Sequence, residues 1–206
     1  LGGLHEVINL PKVAILSGKG SSAYSVGQVW HLLNEKMHIP TSLINSNNLN
    51  RTLLDNYTVL IMSDGSYSHI DSSNVKLIKS WINRGGCLIS TGSGSEWIIN
   101  NKIIDETIKE INKDTLDIPY ENVQAERGSQ RIGGAVFQIN LDNTHPIAYG
   151  YQKSLPVFRN NETFYELSTS DAANVGRYAK KPLMSGYISD EMNDEIKNSA
   201  SIIARN

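Results

Sequence analysis

A chain of 206 residues, 39% apolar and 19% charged, has the length of one domain and the makeup of a folded one. Nineteen basic against 21 acidic groups leave a net charge of -2, too little to draw in a polyanion by counterion release, so nucleic acid is not an expected partner. No run approaches the ~20 apolar residues of a membrane-crossing helix, and the single cysteine, Cys87, excludes an internal disulfide and leaves the compartment open.

The amino terminus has neither an initiator Met nor a basic segment leading into an apolar one, so the chain reads as part of something longer. From Val13 to Ser17 a β-branched run bounded by Pro11 and Gly18 reads as a buried strand. Val26, Val29, Trp30, Leu33 and Met37 then recur at helical spacing, up to Pro40. Thr41 to Ile44 and Val59 to Met62 read as the next two strands. Asp71, Ser72 and Ser73 cap a helix that carries Val75, Ile78, Trp81 and Ile82 inward and stops at Gly85-Gly86. Cys87 to Ser90 is a fourth strand, and Glu96 to Ile111 is expected to be mainly helical, with Ile104, Ile108 and Ile111 on one side.

This alternation predicts parallel βαβ units and a doubly wound sheet. Beyond Gly133-Gly134 the pattern changes. Ala135 to Leu141 alternates as a strand, Asp142 to Thr144 is a turn, and short strands are expected over Pro156 to Arg159, Phe164 to Leu167, Val175 to Tyr178 and Leu183 to Ile188. A polar helix over Asp190 to Asn198 and a strand from Ser201 to Ala204 follow.

Ligands of such sheets approach the carboxyl ends of the strands, which directs attention to Gly18 to Ser22, Ser63 to Ser66 and Thr91 to Ser95. Gly18-Lys-Gly-Ser-Ser22 fails as a phosphate loop, because Lys19 stands between the glycines instead of after the second. Thr91-Gly-Ser-Gly-Ser95 lies where hydrolases of this topology place their nucleophile elbow, but the small residues two positions either side of Ser93 are Thr91 and Ser95, not glycines. Cys87 begins its strand, roughly 20 Å from that turn at ~3.3 Å per residue, and reads as a buried small apolar residue. His145 is the best placed base, although His145-Pro146 after Asp142-Asn-Thr also suits a capped turn in which the ring satisfies backbone groups. Three residues past each of the five histidines stand Ile8, Asn34, Thr41, Ser72 and Ala148, so no His-x-x-Glu zinc pair exists and no metal is expected in this chain.

Lys12-Val-Ala-Ile-Leu-Ser-Gly18, Gly27-Gln-Val-Trp-His-Leu-Leu33, Met62-Ser-Asp-Gly65, Trp81-Ile-Asn-Arg-Gly-Gly86, Thr144-His-Pro-Ile-Ala-Tyr-Gly150 and Leu155-Pro-Val-Phe158 together resemble the amidotransferase-like domain that follows the catalytic domain in certain bacterial zinc carboxypeptidases. The likeness spans nearly the whole chain. It implies a flavodoxin-like, class I glutamine amidotransferase-like three-layer sandwich over 1–206, with a mostly parallel sheet, an irregular β-rich second half, and residues 1–11 as a linker from a preceding domain. Active amidotransferases keep a Cys at the elbow and a His-x-Glu pair, where this chain has Ser93 or a neighbour and Ile147.

The resemblance further implies that zinc belongs only to the parent's separate peptidase domain, that this upstream domain or a second copy is the partner, and that the protein is periplasmic or secreted. The family domain continues past the position of Ile203 with a turn, a strand and a helix, which implies a sheet edge that is exposed or covered by a partner chain. The expected function is that of a non-catalytic accessory domain and not an enzyme. Two alternatives stand beside it: a serine hydrolase using Ser93 and His145, and a small-ligand or carbohydrate-binding module whose pocket involves Gly18, Ser21, Asp64, Gly65, Gly92 and Ser93.

Overall fold

Four short strands, β1 (Val13–Ser17), β2 (Thr41–Asn45), β3 (Val59–Met62) and β4 (Cys87–Ser90), lie parallel in the order β2-β1-β3-β4. The computed structural model describes residues 10–51, 54–111, 119–197 and 199–205, and the chain divides into two units, 1–103 and 104–206. Residues 1–9 of the expected linker, and Asn198 at the expected end of the polar helix, lie outside the described residues.

In the first unit the central strands are the near-continuous apolar runs, and Ala14, Ile15, Leu16, Leu60 and Met62 are inaccessible to solvent. Helix α1 (Ala23–Trp30) starts at Ser22, whose hydroxyl accepts from the Ser25 N–H, and continues into a wider π turn over His31–Lys36. Val26 is buried among Val13, Ile15 and Ile61, with Val29, Trp30 and Leu33 partly buried beside it. Met37, expected on the same stripe, is exposed. The Met37 N–H bonds the Leu32 carbonyl five residues back, and this wider winding carries the last residues off the 3.6-residue face.

Helix α2 (Ser72–Asn83) opens at Asp71 as expected, the carboxylate accepting from the Asn74 N–H, and packs Val75, Ile78 and Trp81 inward. Helix α3 (Ser93–Asn100) is much shorter than the helix expected over 96–111. Lys102 adopts a left-handed φ of 52°, and the N–H groups of Ile103 and Lys102 close on the carbonyls of Ile98 and Ile99. That is a Schellman stop built on a lysine, where sequence reading looks for glycine. The expected burial of Cys87 is also corrected: β4 is an edge strand, and the face on which Cys87 and Ile89 stand is open to solvent.

The second unit is built on an antiparallel sheet of its own, β6-β5-β7-β8, from β5 (Ala135–Leu141), β6 (Ser154–Arg159), β7 (Asn174–Gly186) and β8 (Ala200–Ile203). Helices α4 (Val123–Ser129) and α5 (Asp190–Ile196) complete it. β5 alternates as its sequence does, with Ala135, Phe137, Ile139 and Leu141 turned into a core shared with Phe164, Tyr178, Ile188 and Ile196. The strands expected over 175–178 and 183–188 are one strand, β7. Its register against β5 jumps between Tyr178, opposite Ile139, and Leu183, opposite Phe137; Pro182, which has no N–H for a ladder, falls inside the bulge. The strand expected over 164–167 is reduced to single bridges from Tyr165 to Ile108 and Ala200.

Candidate functional site

Turns leave the carboxyl ends of β1 and β3 and bond to each other. The Ser22 N–H donates to the Asp64 carbonyl at 2.7 Å, the Ser66 N–H donates to the Gly20 carbonyl at 2.8 Å, and Ser21 pairs with Gly65. This brings Gly18, Ser21, Asp64 and Gly65 into one loop cluster, to which the turn after β4 adds Gly92 and Ser93. The Asp64 carboxylate is its centre: Oδ1 accepts from the Ser93 N–H at 3.0 Å and Oδ2 from the Ser25 hydroxyl at 3.0 Å. Ser25 lies in the first turn of α1 and Ser93 opens α3, so two helix amino termini, each favourable to an anion, face the same carboxylate.

The turn after β4 has its apex one residue before Ser93. Gly92 holds φ 53° and ψ -132°, and a Cβ at that position would fall 1.8 Å from Asp64 Oδ1. The space where an elbow would present a side chain is therefore filled by a carboxylate from the neighbouring strand end. Ser93 points elsewhere: its Oγ accepts from the Gly65 N–H at 2.9 Å and lies 3.4 Å from Asp64 Oδ1. His145 belongs to the second unit and has a local role. It precedes a 3-10 turn over Pro146–Ala148, and its Nδ1 accepts from the Ile147 N–H at 3.2 Å.

Other residues of the cluster escape sequence reading. His69 contacts Ser46 through Nε2 at 2.9 Å, and Ser46 Oγ in turn reaches the Lys19 carbonyl at 2.7 Å. Ser46 follows the carboxyl end of β2, so inspecting every strand end, and not three of the four, points to it. His69 lies three residues past the stretch singled out after β3, on the way to the Asp71 cap. Between them Tyr67 is wholly buried with a left-handed φ of 46°; its hydroxyl donates to the Ser63 carbonyl and its ring meets Trp97 edge-on at 6.2 Å. Burial pushes the Tyr67 phenol up from its ordinary range; Ser63 works against that rise and the nearby Asp64 carboxylate adds to it.

Beside the cluster, a cleft of about 300 Å3 opens between the Gly18–Ser21 turn, Val26 and Trp30 of α1, and Leu43 of β2. Gly27 is among its lining residues, and a Cβ added at that position would meet nothing within 4 Å. Among the described residues no three His, Cys, Asp or Glu side chains converge as a metal site would require.

No family model matches the sequence, and no curated protein matches it. Solved structures do. A Thermoplasma acidophilum protein assigned to GMP synthase, as one of its subunits, superposes with a TM-score of 0.52 at 11% identity, over 84% of this chain and 75% of that one. A glutamine amidotransferase of Thermotoga maritima does so with a TM-score of 0.52 at 11% identity, over 87% and 73%. The fold is that of the glutamine amidotransferases.

An amidotransferase fold corrects one expectation. With neither a standard nucleophile nor zinc ligands in place, the sequence reads as no enzyme, but the structures that share its fold are those of an amidotransferase and a component of a synthase. Lack of the usual nucleophile is therefore no ground for setting this amidotransferase-like chain among non-enzymes.

Proposed function

We propose that this chain is the amidotransferase-type domain, flavodoxin-like in its parallel half, of a larger zinc carboxypeptidase-type protein, and that it holds a small polar ligand at the Asp64 cluster. A sugar hydroxyl or a peptide amine is the matching chemistry, since an aspartate ringed by serine hydroxyls accepts hydrogen bonds. The observation that carries this reading is the position of the Asp64 carboxylate at the strand ends, under an apex that bears no side chain. Zinc would belong to the upstream peptidase domain, which would also be the partner, in a periplasmic or secreted protein; this context comes from the family resemblance.

Binding to the native state raises the melting temperature. Thermal shift against a panel of glycans and peptides should yield a hit, and Asp64→Asn should abolish it while the protein stays folded. A panel without a hit, or a hit indifferent to Asp64→Asn, counts against the site.

A second reading follows from the 3.4 Å approach of Ser93 Oγ to Asp64 Oδ1: a hydrolase in which Ser93 is the nucleophile and a carboxylate stands where an imidazole would serve. A fluorophosphonate probe that labels the wild type and spares Ser93→Ala would establish it; an unlabelled wild type removes it.

A further inference from the structure

We infer that His69 is the proton-accepting group of the loop cluster, that the accepting atom is Nδ1, and that Ser46 positions it; this rests on reading the cluster as the ligand site. A hydroxyl has one hydrogen to give. Ser46 is 3% exposed and its Oγ lies 2.7 Å from the Lys19 carbonyl oxygen, an atom that only accepts, so the hydrogen is committed there. In its 2.9 Å contact with His69 Nε2, Ser46 must then be the acceptor and Nε2 the donor. A neutral imidazole carries a single N–H, which leaves the lone pair on Nδ1. No hydrogen bond found among the described residues ends on that atom.

The ring is held in place from two further sides. Its Cε1–Nδ1 edge lies against Gly20, where an added Cβ would come within 2.9 Å of Cε1 and 3.0 Å of Nδ1, and where φ is already +81°. The turn that delivers His69 contains Tyr67, a buried residue forced into left-handed backbone, and such strain persists only where the surroundings over-determine it, commonly at functional sites. That turn is bonded to the first through Ser66 and Gly20, the same pair of turns that carries Asp64.

The ligand class that suits this site is a molecule with a hydroxyl or amine donor. A ligand O–H or N–H reaching Nδ1 donates a hydrogen bond to its lone pair, and the ring can take up a proton there as an imidazolium. The bond to Ser46 survives that uptake, because Nε2 is a donor in both states of the ring.

The test needs no ligand, so it stands or falls separately from the binding panel. Nitrogen-15 NMR of the histidine-labelled 206-residue chain, recorded near pH ~9 where an ordinary histidine is neutral, should show His69 protonated on Nε2 over Nδ1 by about tenfold, the worth of one hydrogen bond. Ser46→Ala should bring the two tautomers within a few-fold of each other, and Ser46→Thr, which keeps the hydroxyl, should restore the preference. A proton found on Nδ1 in the wild type overturns the assignment, and a tautomer ratio unmoved by Ser46→Ala overturns the role of Ser46.

Discussion

Ser63 is completely buried at the end of β3, yet its hydroxyl has no partner among the described residues. A buried polar atom without a bond costs stability, so Ser63→Ala should leave the melting temperature unchanged or raise it, the gain amounting to as much as roughly 1–3 kcal/mol. A clear fall in urea-denaturation stability would mean that the hydroxyl has a partner in solution. Gly92→Ala should act in the opposite direction. It places a Cβ on the Asp64 carboxylate and puts a side chain on left-handed backbone, and a loss of roughly 1–3 kcal/mol is expected from the strain alone. Neither effect was legible in the sequence. Gly92 and Ser93 stood in the right turn, but which of them forms its apex is decided by backbone angles that neighbouring small residues leave undetermined.

Elements were easier to read where a single local rule governed them. Asp71 caps α2 through the Asn74 N–H, and that bond, ahead of the Ser73 hydroxyl, holds its carboxyl below the ordinary carboxylate range. A pKa lowered by folding contributes stability above the ordinary aspartate value of ~3.9 that is lost as the pH falls through the lower folded value. Asp71→Ala should accordingly melt below the wild type at neutral pH, and the gap should close in strong acid; an equal gap at both extremes would deny the cap its charge. β1, β3, β4 and β5 were readable from apolar runs and alternation. The failures have a common cause, tertiary context overriding local pattern. The isoleucines at 104, 108 and 111 keep helical spacing, but a left-handed Lys102 has already ended the helix. Residues 174–186 look like two strands because Pro182 interrupts them, and a bulge carries one strand past the proline.

At the scale of the whole molecule, each unit has its own sheet and, among the described residues, an apolar cluster of its own, and a core mutation should register in its own sheet. Phe137 is fully buried in the antiparallel unit, edge-on to Tyr178 at 6.1 Å. Phe137→Ala should cost about 3–5 kcal/mol, with hydrogen-exchange protection falling across β5 to β8; undiminished protection there would show that the core reading is wrong. The change of character after residue 133 was visible in the sequence as shorter runs and altered turns. The antiparallel pairing was not, because strand direction depends on partners far along the chain.

The rim of the parallel sheet offers an experimental handle. Cys87 is the sole sulfhydryl of the chain and stands in solvent on β4, so one nitroxide reagent marks one address with no engineering of the sequence. A tumbling label would report a bare border, and a restrained one would reveal a neighbour docking alongside it.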